Sequence, residues 1–214
     1  MSAKGDCGHH KDKRRRFLRR LFGTFLFILF ILLLTIFIIW LVLRPTKPRF
    51  TLQDATVYQF NMSTSPNLIT SSLQVTVSSR NPNDRIGVYY DRLDIFAVYR
   101  NQQITLPTSI LPAYQGHKDT IVWSPFLMGT AVPVAPFLGE ALGQDLAAGV
   151  VMVNIKMDGR VRWKVGAWVS GKYHLYVNCP AFLTFGVNKF PQGLNVAPAV
   201  AVKLQLDRSC NVDV

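Results

Sequence analysis

Residues 151–165 read VMVNIKMDGRVRWKV, a stretch in which apolar side chains stand at nearly every second position. Such alternation is typical of a strand that has one face in a core and the other in solvent. Asp158-Gly159 lies in the middle of the stretch, and Asp-Gly between two alternating runs is a strong signal for a two-residue hairpin turn. We therefore predict two antiparallel strands that are joined by a turn at Asp158-Gly159.

The same alternation recurs on both sides of this segment. Its apolar positions are Leu73, Val75 and Val77, then Tyr173, Leu175 and Val177, and finally Val202, Leu204 and Leu206. Further strands are predicted at Phe50–Phe60, Ile86–Tyr90 and Leu93–Tyr99. About seven to nine short strands with turn signals between them are typical of an immunoglobulin- or fibronectin-like β-sandwich. The predicted fold class is therefore all-β, with antiparallel sheets.

One segment, Pro136 to Ala148, departs from the alternation. Its apolar residues include Leu138, Leu142 and Leu146, which recur at helical spacing. Proline is favoured in the first turn of a helix, and glycine is favoured just after its end, where Gly149 stands. We predict a short helix that connects the two sheets.

A second kind of segment precedes the predicted sandwich. Leu21–Leu43 is an apolar run of 23 residues without a charged side chain. As a helix it would be roughly 34 Å long, and the hydrocarbon core of a bilayer is about 30 Å thick. A cleaved signal peptide fits less well, because its apolar stretch would span about 7 to 15 residues and end in small residues. We predict a transmembrane helix.

Basic residues are distributed unequally around this run. Eight lysines and arginines lie between Lys4 and Arg20, whereas only Arg44, Lys47 and Arg49 follow closely. The excess predicts a cytoplasmic N-terminus and an exoplasmic C-terminal domain. The predicted organisation is a basic tail at 1–20, a transmembrane helix at 21–43, a stiff juxtamembrane linker at 44–49 and a sandwich domain at 50–214.

The formal net charge of +12 raises the question of a nucleic-acid partner. The densest basic cluster adjoins the apolar run, where it serves orientation and attracts anionic lipid. No zinc-finger or helix-turn-helix pattern accompanies it, so we expect no nucleic-acid partner. Cys7, His9 and His10 lie on the tail and do not make up the four-ligand set of a structural zinc site. No metal and no cofactor are expected.

Two cysteines, Cys179 and Cys210, follow the apolar run, on the side that is predicted to be oxidising. Cys179 shares the inward parity of Leu175 and Val177, and Cys210 shares that of Leu206. The pair forms either a disulfide across the core or two buried free thiols. Compartment and parity favour the disulfide, which would contribute roughly 3 to 4 kcal/mol on the chain-entropy model.

Asn61-Met62-Ser63 matches the acceptor sequence for N-linked glycosylation. Asn61 ends a predicted strand and is followed by a polar stretch that begins at Ser63. We therefore expect Asn61 in an exposed loop and predict it as the glycan acceptor.

The domain is poor in catalytic patterns. His117 and His174 lie on different predicted elements, and Asp91 and Asp94 would face opposite sides of a regular strand. No nucleophile motif, zinc-protease motif or phosphate-binding loop is present in the sequence. We predict that the protein is not an enzyme.

A row of cations is predicted on one face of the strand that follows Gly159. If Trp163 faces the core, then Arg160, Arg162 and Lys164 point to solvent, and Lys172 on the next strand extends the row. Such a row is either a solvated or edge-protecting sheet face, or a contact surface for a polyanion. The polyanion would be an acidic polysaccharide or the anionic headgroups of the adjacent membrane.

Several segments, taken in order along the chain, resemble one plant family. It is named after non-race-specific disease resistance and harpin-induced proteins, and its exoplasmic part is the water-stress domain of late-embryogenesis-abundant group two. The matching segments are Arg44-Pro45, Asn81-Pro82-Asn83, residues 85–91, residues 114–118, residues 159–166, and the pair Cys179 and Cys210.

The resemblance implies a β-sandwich on a single-span anchor and a role in defence signalling or the hypersensitive response, without enzymatic activity. It places the protein at the plasma membrane or plasmodesmata, and the sequence does not separate these from the endoplasmic reticulum. We therefore predict a membrane-anchored interaction protein with protein partners. The alternative is a lipid-binding sandwich, in which Trp123, Phe126, Trp163 and Trp168 line the contact rather than the core.

Overall fold

The computed structural model describes residues 9–42, 45–64, 67–184, 195–196 and 202–214. It divides into two compact units, Met1–Arg44 and Pro45–Val214. In the first unit a single helix, α1 (His9–Val42), contains the predicted span except for Leu43, which lies outside the described residues. Its segment Phe17–Ile38 has 22 residues and is long and apolar enough to cross a membrane.

The second unit is built almost entirely of strands. Along the described chain they are β1 (Arg49–Thr64), β2 (Asn67–Arg80), β3 (Ile86–Tyr99), β4 (Gln102–Gln103), β5 (Thr108–Ile110), β6 (Ala113–Gln115), β7 (Thr120–Trp123), β8 (Phe126–Pro133), β9 (Val150–Val165), β10 (Trp168–Val169), β11 (Tyr173–Thr184), β12 (Asn195–Val196), β13 (Val202–Ser209) and β14 (Asn211–Asp213). One further helix, α2 (Pro136–Ala147), lies between β8 and β9.

The strands form two antiparallel sheets. The smaller sheet has the order β12-β1-β2-β7, with β13 also paired to β1 and β8 to β2. The larger sheet has the order β14-β11-β9-β3-β4, with β10 paired to β9 and both β5 and β6 paired to β3. The predicted all-β sandwich with a short helical segment is thus confirmed.

The core lies between the sheets and follows the predicted alternation. On β9 the side chains of Val153, Ile155, Val161 and Trp163 are buried, and Leu175 on β11 is buried beside them. The smaller sheet contributes its own inward side chains to the same cluster, among them Leu52, Phe60, Leu73, Val75 and Val77. Removal of these apolar side chains from water is the main stabilising term of such a fold.

The hairpin turn predicted at Asp158-Gly159 is wrong. β9 continues through both residues, and Gly159 is paired with Leu93 on β3 and with Leu175 on β11. A Cβ atom at Gly159 would overlap the carbonyl oxygen of Arg92. Gly159 therefore permits the close approach of a neighbouring backbone, the other common reason for glycine in a strand.

The two strands predicted at Ile86–Tyr90 and Leu93–Tyr99 form the single strand β3. Its register against β9 shifts between Tyr90 and Arg92, as in a β-bulge. Tyr90 and Leu93 are buried, whereas Asp91 and Asp94 both line the outer face. The expectation that the two carboxylates face opposite sides is therefore wrong, because the bulge reverses the parity.

The helix α2 is the predicted one. It begins at Pro136 and packs Leu138, Leu142 and Leu146 into the core. The chain leaves the helix at Gly149, whose φ of 78° is a conformation that glycine adopts without steric cost.

A disulfide joins Cys179 on β11 to Cys210, with the two Cα atoms 4.4 Å apart. Cys210 lies where the chain passes from β13 in the smaller sheet to β14 in the larger one. The bond therefore links β11 of the larger sheet to the segment in which the chain crosses from the smaller sheet to the larger one. The side chains of Val202, Leu204 and Leu206, whose parity supported the prediction, lie outside the described residues.

Replacement of Gly159 by alanine is expected to lower the free energy of unfolding, because the new Cβ atom would overlap the Arg92 carbonyl. Overpacking of this kind typically costs about 1–3 kcal/mol. Gly171→Ala is the matched control, since a Cβ atom there meets nothing within 4 Å. Urea unfolding followed by circular dichroism measures both. Equal stability of the two variants would contradict the claim that a neighbouring backbone packs closely against Gly159.

Candidate functional site

The outer face of the larger sheet carries the charged side chains that the sequence singles out. Antiparallel pairing places Arg92, Arg160 and His174 side by side across β3, β9 and β11. In the next row along the strands, Asp94 and Asp158 lie beside each other. Together these rows line a shallow groove of about 450 Å³, which we call the charged groove; it is formed by Asp91, Arg92, Asp94, Asp158, Gly159, Arg160, Lys172 and His174.

Ion pairs neutralise part of this face. The Arg162 guanidinium donates from Nε and Nη2 to the Asp91 carboxylate, with the shortest contact at 2.6 Å. These hydrogen bonds raise the pKa of Arg162 above its ordinary value. Arg92 Nε donates to Asp94 Oδ2 at 2.8 Å, and Ser109 Oγ donates to the other oxygen of the same carboxylate. Two of the three carboxylates in the charged groove are therefore already engaged.

The four predicted cations are brought together on this face. Arg160 and Lys172 line the charged groove, and Arg162 and Lys164 follow Arg160 on the outer side of β9. However, Arg162 is bound by Asp91. The Lys164 ammonium lies 5.7 Å and 5.1 Å from the ring centroids of Tyr89 and Tyr114, which is within the range of cation–π attraction. The sequence did not reveal these partners, because they come from neighbouring strands.

Both histidines of the domain have neighbours other than carboxylates. Among the described residues, no group of three or more His, Cys, Asp or Glu side chains is placed to hold a metal ion. His174 stacks on Tyr176, and His117 contacts the backbone oxygen of Asp84. His174 shares the charged groove with three carboxylates, of which Asp91 and Asp94 are held by arginines and by Ser109.

The Asn81-Pro82-Asn83 motif has a structural role at one end of the sandwich. The buried Asn81 amide donates to the backbone oxygens of Ile86 and Gly116, and its own oxygen accepts from the backbone and side chain of Asn83. Because β2 ends at Arg80, directly before the motif, Asn81 satisfies backbone groups of Ile86 and Gly116 at the exit of that strand.

Asn83 also holds the segment that precedes β1. Its Oδ1 accepts from the Thr46 N–H at 2.9 Å, and its Nδ2 donates to the Thr46 carbonyl at 2.8 Å. Lys47 reaches the Val212 carbonyl and the Asp213 carboxylate, and Pro48 is buried. We call residues 45–48 the stem. The stem is thus fastened to the sandwich by a reciprocal amide pair that the sequence did not reveal.

A buried polar cluster lies next to this motif. The Tyr90 hydroxyl contacts Ser79 Oγ and donates to Gln115 Oε1, each at 2.8 Å. Burial raises the pKa of Tyr90 well above the ordinary value for tyrosine. Tyr89 on the same strand is half-buried, and its ring lies against that of Tyr114.

The aromatic residues of the lipid-binding alternative divide into two groups. Trp163 is only 6% exposed and belongs to the core, and the half-buried Trp123 packs against Phe50 and Tyr90 at the edge of the core. Trp168 and Phe126, in contrast, are 64% and 46% exposed. Only these two are available for contact with another molecule.

The environment predicted for Asn61 is wrong. Asn61 lies within β1, where it is paired with Thr70 on one side and Asn195 on the other. Its side chain is half-buried, and the Oδ1 atom is shielded from solvent. The strand extends past Asn61 because it continues its pairing with β2, so the acceptor sequence is not in a loop. Glycosylation at Asn61 stays a prediction.

Cys7 lies outside the described residues, and of His9 and His10 only the helical backbone is described.

Replacement of Asn83 by alanine is expected to release the stem and to remove one of the two hydrogen bonds that the buried Asn81 oxygen accepts, the one from the Asn83 side chain. Such a loss costs roughly 1–3 kcal/mol. Hydrogen–deuterium exchange should become faster at the Thr46 amide, and urea unfolding should show the lower stability. Asn178→Ala, at an exposed position on β11, is the control. Unchanged protection of the Thr46 amide in Asn83→Ala would contradict the role of the amide pair.

Comparison with known proteins extends these findings. The family model described as late embryogenesis abundant protein matches residues 76–179, which include β3, β9 and Cys179. NDR1/HIN1-like protein 1 of Arabidopsis thaliana is 58% identical over 210 residues, which cover 98% of this chain and 99% of the relative. NDR1/HIN1-like protein 12 of the same plant is 52% identical, with 98% of each chain covered. NDR1/HIN1-like protein 26 is 44% identical over 171 residues, covering 79% of this chain and 80% of the relative.

Proposed function

This chain belongs to the NDR1/HIN1-like proteins of the late-embryogenesis-abundant group two family, and we propose that it is a single-pass, membrane-anchored interaction protein of plant defence signalling. The observation that carries the proposal is the charged groove, an open surface of paired and exposed charges on a rigid sheet. Surfaces of this kind select partners by charge complementarity. The names of the related proteins designate no enzyme, which supports a non-enzymatic role.

Anchoring is the second part of the proposal. The helix α1 contains an apolar segment of sufficient length, and the basic residues before it favour a cytoplasmic N-terminus. The sandwich then faces the exterior at the plasma membrane, with plasmodesmata or the endoplasmic reticulum as the other compartments to test. An oxidising exterior is consistent with the disulfide between Cys179 and Cys210.

The distribution of charge favours a protein partner over a uniform polyanion. Arg160 and Lys172 make no ion pair among the described residues, whereas Arg162 is bound by Asp91. A polysaccharide would have to compete with Asp91 for that guanidinium and would meet the carboxylates of Asp94 and Asp158 in the charged groove. A protein surface that carries both signs of charge would match both the cations and the carboxylates.

The orientation is tested by protease protection of the full chain in sealed microsomes. The sandwich should be protected and an N-terminal tag should be digested, because the basic flank stays on the cytoplasmic side. Glycosidase treatment should reduce the apparent mass of the wild type but not of Asn61→Gln. Digestion of the sandwich with protection of the tag would overturn the proposed orientation.

The role of the charged groove is tested by Arg160→Glu in plant tissue. The reversed charge should weaken the partner contact and reduce the ion leakage of the hypersensitive response on expression of the protein. Arg80→Glu, an equal charge change at an exposed position of β2 in the smaller sheet, is the control. At matched protein levels, equal responses of Arg160→Glu and wild type would contradict the assignment of the partner to this face.

A further inference from the structure

An exposed tryptophan stands at the tip of the hairpin between β9 and β10. Trp168 is paired with Val165 across the turn Gly166-Ala167, and Gly166 has a φ of 57°. The Trp168 side chain is 64% exposed, and the neighbouring Val169 is 37% exposed. A large indole held in water by a rigid turn is costly, and tryptophan side chains prefer the interface between a membrane and water.

Register places this hairpin at the same end of the sandwich as the stem. Val165, the last residue of β9, is paired with Ile86, the first residue of β3. The Ile86 carbonyl accepts a hydrogen bond from Asn81, and Asn83 holds Thr46 in the stem. The turn, the Asn81-Pro82-Asn83 motif and the stem are therefore linked through contiguous contacts.

Two cations stand at this end beside the hairpin. Arg85 is exposed and directly precedes Ile86. Lys164 is next to Val165 on the outer side of β9, where its ammonium lies over the rings of Tyr89 and Tyr114. An indole flanked by cations is the combination that settles at lipid headgroups, with the ring among the glycerol groups and the charges near the phosphates.

The short connection between α1 and the stem is a second reason to expect this end of the sandwich near a membrane. Only Leu43 and Arg44 separate Val42, the last residue of α1, from Pro45 in the stem. Three virtual bonds of 3.8 Å allow at most about 11 Å between the Cα atoms of Val42 and Pro45. If α1 crosses a bilayer, the stem therefore begins close to that bilayer's surface.

We propose that Trp168 inserts into the headgroup region of the same phospholipid bilayer that α1 crosses, with Arg85 and Lys164 facing lipid phosphates. The inference rests on the anchoring proposed above and adds a second point of attachment, which restrains the sandwich against rotation about the stem. The charged groove is a separate surface, further along β9 from the turn.

The test uses the full chain reconstituted into phosphatidylcholine vesicles, with and without lipid brominated near the top of the acyl chains. Bromine quenches tryptophan fluorescence only at close range. In a Trp40→Phe background, bromolipid should quench part of the emission, and the additional change Trp168→Phe should abolish that quenching. The additional change Trp123→Phe is the matched control and should leave the quenching in place, because Trp123 packs against Phe50 and Tyr90.

The single variant Trp168→Phe, which retains Trp40 in the apolar run, reports on the anchor. Quenching of Trp40 without any quenching of Trp168 would overturn the inference and leave the anchor in place. Absence of quenching of both Trp40 and Trp168 would contradict the membrane anchoring by α1 as well as the insertion of Trp168. If Trp168 is shielded from soluble acrylamide but is not quenched by bromolipid, another protein surface covers it, and the inference is wrong.

Discussion

The structure depends above all on the pairing of β9 with a strand on each side. Hydrogen bonds to β3 and β11 run along nearly the whole of β9 and fix which of its side chains face the core. A shift of one residue would bring Trp163 to the surface and Arg160 and Arg162 into the core. The charged outer face therefore exists because the apolar inner face is buried, and both follow from one register.

The sandwich and α2 were predicted correctly from the alternation and the helical spacing of apolar residues. Both patterns arise because apolar side chains are placed where they become buried, and the order of apolar and polar residues can be read from the sequence. The conformation at Asp158-Gly159 was predicted wrongly, because the same dipeptide suits both a hairpin turn and a strand with a close neighbouring backbone. The deciding contact is the Arg92 carbonyl, which belongs to another strand. Likewise the bulge in β3 turns Asp91 and Asp94 to one side, and no periodic pattern could have indicated it.

The sequence predicted which cations share the outer face of the larger sheet, but not the side chains with which they interact. Parity placed Arg160, Arg162 and Lys164 on one face, as the structure shows. The residues that modify their charges, Asp91 for Arg162 and two tyrosines for Lys164, are distant in sequence. The outer face therefore carries both positive and negative side chains rather than a row of cations alone. Binding of a partner to such a surface depends on the spacing of the charges as well as on the net charge.

If α1 anchors the protein in a membrane, as proposed above, the hydrogen bonds of the stem also affect how readily the sandwich is released from that anchor. Proteases that release domains from membranes need several residues of exposed and unpaired backbone, so burial and hydrogen bonding decide where cleavage occurs. Thr46 is paired through both of its backbone groups, and Pro48 is buried. Thr46 and Lys47 are exposed, so the amide pair between Thr46 and Asn83, rather than burial, restricts the access of a protease to this backbone.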